Sequence, residues 1–162
     1  MDLDAITKDT KSRYGFDSWN RAGVSRGTEK FLLRTDELPG FELVSREPGV
    51  LPGHAYIDCL RATTTGTSIV VEVTELPSME AAQESLIRFL MTSMVRRLPD
   101  CAARGMTLGD ASFCSTEEPP LDLIFTRGNV LIRAFALTSD ARGLADVARA
   151  VDEQIVRAAV DR

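Results

Sequence analysis

Apolar and polar residues alternate with a period of two in several short stretches of the chain, the pattern of strands with one buried face. The clearest case is residues 67–74, where Ile69, Val71 and Val73 share one face and more polar residues share the other. Turn residues separate the stretches so closely that neighbouring strands must be antiparallel. The predicted strands are residues 31–33, 41–44, 55–62, 67–74, 106–115, 121–126 and 130–137. The first two of these segments are either two short strands or a strand and an extended arm.

Two longer stretches instead repeat their apolar residues every three to four positions, as amphipathic helices do. The first follows Ser78, which we predict as its N-cap, and runs through about Arg97, before Pro99. The second follows Asp140, also a predicted N-cap, and extends its apolar stripe to Ile155. We therefore predict an α+β fold, in which an antiparallel sheet of about six to seven strands packs with two long helices.

The length of 162 residues fits one domain, but the start of the chain differs from the rest. Residues 1–27 are polar and contain three glycines, and we interpret them as a polar N-terminal arm, with a short helix near Asp4–Ser12 as one interpretation of its first part. Residues 28–162 then form the single α+β domain. Trp19 is an isolated aromatic residue in this arm, so we expect it to contact the body of the domain, a neighbouring subunit or a ligand. The alternative is an arm without fixed structure.

The balance of charges excludes some classes of partner. A net charge of -5 argues against a nucleic-acid-binding protein, because such domains carry a basic face. Arg88, Arg96 and Arg97 lie near the end of the first predicted helix, where solvated cations complement the helix dipole. No apolar run reaches the roughly 18–20 residues of a membrane span, and the first residues contain no apolar signal core. We therefore expect a soluble, cytoplasmic protein with no nucleic-acid or membrane partner.

Two short motifs in the second half of the chain follow a recognisable order. Leu108-Gly-Asp-Ala-Ser-Phe113 precedes Leu121-Asp-Leu-Ile-Phe-Thr-Arg-Gly-Asn-Val130, and a strand and a helix come next. Residues 75–160 thereby resemble PsbP-like domains, in which a Gly-Asp pair and an Arg-x-Gly-Asn-Val segment lie in consecutive strands. In this chain Arg127 directly precedes Gly128, one residue closer than in that segment. The resemblance implies an α/β/α sandwich built on an antiparallel sheet, with a binding or accessory role, and it transfers no functional residue.

The cysteines and the histidine are the residues with the greatest chemical reactivity. Cys59, Cys101 and Cys114 cannot all pair, so we expect buried thiols, with a Cys101–Cys114 disulfide as the alternative. His54 is the single histidine, and a nucleophilic pair with Cys114 requires a tertiary approach. In a regular strand His54 shares a face with Asp58 but not with Cys59, so these three do not converge on a metal. We therefore assign no catalytic residue, no metal site and no cofactor.

Two arginines near the last predicted hairpin are candidates for binding. Arg127 lies at the tip of the hairpin and Arg133 on the strand after it, where a guanidinium group would meet an acidic ligand or partner. A solvated turn charge is the alternative for Arg127. Trp19 and His54 complete the set of predicted ligand-binding residues.

These observations favour a non-enzymatic binding or accessory domain that recognises a protein or a small ligand. Two alternatives come from other classes: a small-molecule enzyme whose site is assembled from dispersed residues, and a structural homo-oligomer. A pocket with converging Arg, Glu or Asp side chains would favour a ligand binder or an enzyme. A flat apolar surface would favour a protein partner.

Overall fold

The computed structural model describes residues 2–22, 31–50, 54–93 and 97–160, which form one antiparallel sheet of six strands and three helices. The helices are α1 (Leu3–Arg13), α2 (Met79–Thr92) and α3 (Leu144–Val160). The strands are β1 (Phe41–Pro48), β2 (His54–Ala62), β3 (Ser68–Glu75), β4 (Ala111–Cys114), β5 (Asp122–Arg127) and β6 (Val130–Ala136). The α+β class and the antiparallel sheet are confirmed. The structure has three helices instead of two, and α1 is formed by the residues for which a short helix is one interpretation of the arm. The predicted boundary between residues 27 and 28 lies outside the described residues.

The strands follow the order β1-β2-β3-β6-β5-β4, so the two halves of the chain meet where β3 pairs with β6. Gly66 turns the chain between β2 and β3, and Gly128 turns it between β5 and β6, both with positive φ. Arg127 pairs directly with Val130, so Gly128 is the first central residue of a two-residue hairpin. A positive φ at that position is typical of a type II′ turn. The hairpins that the short turns predict between β2 and β3 and between β5 and β6 are therefore confirmed.

The two faces of the sheet pack against different helices. Leu60, Val71 and Ile132 point to the face that α3 covers, which we call the α3 face. Ile124 and Leu131 point to the opposite face, which α2 covers over β5 and β6 and which we call the α2 face. Helix α1 packs on α2 instead of on the sheet. On β2 the side chains that point to the α2 face, Ala55, Ile57 and Cys59, stay partly exposed.

The ends of the helices agree only in part with the prediction. Ser78 is the N-cap of α2, because its hydroxyl accepts a hydrogen bond from the backbone N–H of Ala81 at 3.0 Å. Helix α2 ends earlier than predicted, at Thr92, and residues 94–96 of the predicted helix lie outside the described part of the chain. The prediction that Asp140 caps α3 is wrong. Its carboxylate accepts hydrogen bonds from Arg142 within a turn, and the helix begins only at Leu144.

Residues 31–34, which we call the strap, are not the strand that the apolar pattern predicts. Side chains, and not a neighbouring strand, accept the hydrogen bonds of the strap's backbone. The pairs are Phe31 N to Glu75 Oε2 (2.6 Å), Leu33 N to Tyr56 Oη (2.7 Å) and Arg34 N to Gln154 Oε1 (2.8 Å). Phe31 and Leu33 bury their own side chains in the core on the α3 face. The strap is therefore fixed by tertiary contacts from β3, β2 and α3.

Candidate functional site

A cleft of about 290 Å³ lies between α2 and the α2 face of the sheet. By surface area most of its lining is apolar, although six of its ten lining residues are polar or charged. The sheet and the residue after β3 contribute Glu72, Thr74, Leu76, Ile124, Leu131 and Arg133. The helix contributes Ser85, Arg88, Phe89 and Thr92. This volume is near the lower end of the range for ligand pockets, about 300–1,000 Å³.

The register of the sheet brings the polar strand residues together in the cleft. Glu72 lies directly opposite Arg133, and Thr74 lies directly opposite Leu131, so these four side chains point to the same face. On the helix, residues three or four positions apart lie on one side. That spacing places Ser85, Phe89 and Thr92 above the strands. The lining of the cleft therefore follows from the alternation of side chains between the two faces of β3 and β6 and from the helical spacing of residues on α2.

Arg133 is the most strongly held charge in the cleft. Its Nη2 donates a hydrogen bond to Asp122 Oδ2 at 2.6 Å, and this hydrogen bond raises the pKa of Arg133 above its ordinary value. The guanidinium carbon also lies 5.2 Å from the ring centre of Phe89 and 4.6 Å from that of Phe135. Such cation–π contacts limit the directions in which the group can point. Arg133 is thus a fixed wall of the cleft.

Glu72 and Arg88 are the charged groups of the cleft that the protein engages least. The nearest cation to Glu72 is Arg133, with 3.9 Å between Oε2 and Nη1, too long for a good hydrogen bond. Arg88 is exposed and makes no ion pair or hydrogen bond with the residues that the structure describes. The cleft therefore presents a carboxylate from β3 and a guanidinium from α2 to whatever enters it.

A second depression of about 210 Å³ lies next to the cleft and shares Phe89, Thr92 and Ile124 with it. Its far side is formed partly by Cys114 and Ser115, at the end of β4.

Arg127 does not lie in the cleft, because its guanidinium is bound within the chain. Nε and Nη2 each donate a hydrogen bond to the carboxylate of Asp152 on α3, both at 2.7 Å. Nη1 lies 3.5 Å from Asp110 Oδ1. A bidentate pair of this kind fixes geometry as well as charge. Arg127 therefore ties the β5–β6 hairpin to α3.

The same corner of the fold joins the two motifs noted in the sequence. Asp110 Oδ2 accepts a hydrogen bond from the backbone N–H of Gly128 at 2.7 Å, and Gly109 donates its own N–H to Asp152 Oδ2 at 3.0 Å. Gly109 has a positive φ, which interrupts an extended backbone. For this reason β4 begins at Ala111 and is shorter than the predicted strand of residues 106–115. The Gly-Asp and Arg-Gly-Asn motifs thus form one hydrogen-bonded corner.

Trp19 packs inside the chain, against the first turns and β4. Its ring centre lies 5.1 Å from that of Phe16 and 5.7 Å from that of Phe113. Its indole Nε1 donates a hydrogen bond to the backbone oxygen of Tyr14 at 3.0 Å. The described part of the arm is therefore attached to the body of the domain through an aromatic cluster, away from the cleft.

His54 is at the start of β2, with its ring 5.5 Å from that of Tyr56 on the α3 face. The cleft is on the opposite face, so His54 does not line it. A pair with Cys114 is excluded by the strand order, since four strand spacings of about 4.8 Å, roughly 19 Å in total, separate β2 from β4. Asp58, the other group near His54 in sequence, is engaged by Arg46.

All three cysteines are free thiols, and they differ in exposure. Cys101 and Cys114 are buried, whereas Cys59 is partly exposed on the α2 face, so the expectation of buried thiols holds for two of them. Burial, and secondarily the proximity of Cys114, raises the pKa of Cys101 to about 12. Burial also raises the pKa of Tyr56, beneath the strap, to about 12.

These two raised pKa values predict a loss of stability in alkali. Well below the ordinary pKa of a thiol, at about pH 7, both groups are protonated in the folded and in the unfolded chain, and their contribution to stability is complete. As the pH rises from about 9 to 12, the unfolded chain releases these protons while the folded chain keeps them, so the free energy of unfolding falls. Urea unfolding at several pH values measures the slope, and Cys101→Ala should make it shallower. An unchanged slope in that variant would contradict the explanation, and Cys59→Ala is its control.

From the sequence we expect Arg88 to be a solvated helix cation, and we assign no role to Glu72. One available signal is the mixed character of the second face of β3, where Val70, Glu72 and Thr74 alternate with the core residues. A strand face that is neither fully polar nor fully apolar is typical of a partly covered surface. Phe89, at the edge of the apolar stripe of α2, marks where the helix stops covering that surface.

Comparison of the chain with family models, with curated proteins and with solved structures gives no match. Among the described residues, no three His, Cys, Asp or Glu side chains come close enough together to hold a metal ion. Within the same residues, no helix combines the length and the apolar character that crossing a membrane requires.

Proposed function

We propose that the chain is a non-enzymatic binding domain that takes a small ligand in the cleft beneath α2. One observation carries the proposal: a largely apolar cleft receives a carboxylate and a guanidinium group that the protein itself barely engages. A mainly apolar pocket with a few convergent polar groups is the usual form of a ligand site, since the apolar surface supplies affinity and the polar groups supply orientation.

The β1 edge of the sheet is poorly suited to pairing with a strand of another protein, and this favours a small ligand as the partner. β1 is the outermost strand beside β2, and its pairing shifts register between Leu43 and Ser45. Pro48 ends the strand, and Glu42 and Glu47 are exposed along it. A bulge, a proline and charges are the features with which natural sheets resist the addition of another strand. This edge therefore offers little to a partner that binds by extending the sheet.

The hydroxyl groups of the cleft have no neighbouring base to activate them, and this favours binding over catalysis. A serine or threonine nucleophile needs a base within hydrogen-bonding distance. Thr92 donates its hydroxyl to the backbone oxygen of Phe89 at 2.7 Å, and His54 is on the other face of the sheet. Within the described residues, Ser85 and Thr74 have no imidazole or carboxylate hydrogen-bonded to them. The cleft then holds a ligand without activating it.

We also propose that the fold is a PsbP-like sandwich. Two observations support this assignment: α2 and α3 cover opposite faces of an antiparallel sheet, and the Gly-Asp and Arg-Gly-Asn motifs meet in one corner. A binding or accessory role is the one that this resemblance implies.

The site is tested with a neutral aromatic probe, benzyl alcohol, added to the isotope-labelled protein. The amide chemical shifts that change should cluster on β3, β6 and α2, around the cleft. Ser85→Phe places a ring in the cleft and should weaken this binding about tenfold, a loss of roughly 1.4 kcal/mol. Glu80→Phe is the control, because Glu80 is exposed on the same helix and does not line the cleft. Shift changes centred elsewhere, or equal effects of the two substitutions, would overturn the proposal.

A further inference from the structure

The two weakly engaged charges of the cleft have opposite signs and belong to opposite walls. Glu72 comes from β3, in the floor, and Arg88 comes from α2. They are not within ion-pair distance of each other, since Glu72 approaches no cation other than Arg133 among the described residues. A charged group beside an apolar surface is only partly hydrated, so a hydrogen bond from a ligand stabilises it more than it would stabilise a fully solvated group. Each of the two charges is therefore available to a ligand.

Arg133 is not available to bind an anionic group of a ligand, because Asp122 already binds its guanidinium group. Its hydrogen bonds to Asp122 are short, with Nη2 and Oδ2 only 2.6 Å apart, and its planar group lies against Phe89 and Phe135. An anion that displaced Asp122 would leave that carboxylate, which is only partly exposed, without its cation. The free guanidinium for a ligand is thus the one on Arg88.

We infer that the ligand of this cleft is a small zwitterion with an apolar body. Its cationic group is bound by the Glu72 carboxylate, its anionic group by the Arg88 guanidinium, and its apolar body lies against Ile124, Leu131 and Phe89. The inference rests on the proposed function, because it names the class of ligand for the same cleft.

The alternatives with a single charge fit the cleft less well. A simple anion would pair with Arg88 but bring its negative charge near Glu72, and a simple cation would pair with Glu72 but approach Arg88 and Arg133. Like charges in contact reduce affinity, and this repulsion is how binding sites reject the wrong partner. A zwitterion meets an opposite charge at both ends. Discrimination between these ligands is therefore the property that the inference predicts.

Three probes that share a phenyl ring separate the possibilities in titration calorimetry near neutral pH. L-phenylalanine carries both charges, phenethylamine carries the positive charge, and hydrocinnamate carries the negative one. A charged hydrogen bond at a partly exposed site contributes about 1.5 kcal/mol, so L-phenylalanine should bind about tenfold more tightly than either analogue.

Substitutions in the cleft then assign the two ends. Arg88→Gln should reduce the affinity for L-phenylalanine to that for phenethylamine, and Glu72→Gln should reduce it to that for hydrocinnamate. Glu42→Gln and Arg61→Gln are the controls, because these exposed residues pair across β1 and β2 outside the cleft. Neither control should change the order of the three probes.

The outcomes distinguish the inference from the proposed function. Equal affinities for the three probes, tighter binding of a singly charged probe, or no binding of any of them overturns the inference. Each of these results leaves the binding site standing as long as benzyl alcohol maps to the cleft. If benzyl alcohol maps elsewhere, the proposed function fails, and the inference fails with it. A tenfold preference for L-phenylalanine that is abolished by Arg88→Gln and by Glu72→Gln supports the inference and the proposed function together.

Discussion

Replacing Arg46 by leucine should lower the free energy of unfolding by about 3–5 kcal/mol, the usual cost of leaving one partner of a buried ion pair alone. The Asp58 side chain is fully buried, and both of its oxygens accept hydrogen bonds from Arg46 at 2.6 Å. Arg46 Nη2 also donates to the backbone oxygen of Leu33 at 2.9 Å, which holds the strap. The substitution removes these contacts and leaves a carboxylate in the core on the α3 face. Urea unfolding monitored by circular dichroism measures the loss.

Two further variants show whether the loss in the free energy of unfolding comes from the unpaired Asp58 carboxylate or would follow the removal of any arginine. Arg149→Leu removes an exposed pair with Asp146 and should cost no more than about 1 kcal/mol. Arg46→Leu combined with Asp58→Leu removes both charges and should recover much of the loss, because a buried apolar pair of similar volume is often as stable as an ion pair. A double variant less stable than Arg46→Leu alone would contradict this account.

Gly109→Ala should cost about 2–5 kcal/mol, with two separate causes. Gly109 has a φ of +58°, and a left-handed conformation costs an L-residue about 1–2 kcal/mol. An added Cβ would in addition overlap the backbone oxygen of Thr126 and lie 2.8 Å from the ring of Phe125. Overpacking of this kind costs about 1–3 kcal/mol more. The corner that joins the hairpin to α3 must therefore shift or lose hydrogen bonds.

Gly40 provides the comparison that isolates the second cause. Its φ is also positive, at +79°, but an added Cβ would have nothing within 4 Å. Gly40→Ala should therefore cost the conformational penalty alone, about 1–2 kcal/mol. The difference between the two variants in thermal or urea unfolding measures the crowding at the corner. Equal losses would mean that the corner relaxes freely around the new methyl group.

The β2–β3 hairpin is predictable because the two strands are neighbours along the chain. In β2 buried side chains alternate with more exposed ones, and in β3 the core residues Ile69, Val71 and Val73 recur at every second position. A short turn with Gly66 fixes the register. The strap has the same apolar character but is not a strand. Its hydrogen-bond acceptors are side chains distant in sequence, and no local pattern encodes their approach. The start of α3 differs from the predicted cap because the Asp140 carboxylate accepts hydrogen bonds from Arg142 and, from far along the chain, from the hydroxyl of Thr67.

The cleft is less predictable than the fold because the role of an arginine depends on its tertiary partners. The sequence singles out Arg127 and Arg133 by their positions near a hairpin. In the structure Arg127 is engaged by Asp152 and Arg133 forms a wall of the cleft, whereas Arg88 makes no ion pair with the described residues. Nothing in the sequence around these three residues distinguishes an engaged guanidinium from a free one. That distinction arises from the strand order, which brings β3 and β6 together beneath α2.

The attachment of the strap has a consequence for cooperativity. Its amide hydrogens are accepted by side chains on three separate elements, and not by a continuous ladder. Loss of one acceptor releases one point of attachment and leaves the pairing of the sheet intact. The strap is therefore suited to open as a small unit of its own, at lower free energy than global unfolding. Opening would admit water to Tyr56 and Asp58. The strap can dock only after β2, β3 and α3 have assembled, because these three elements carry its acceptors, and its docking then seals the interior on the α3 face.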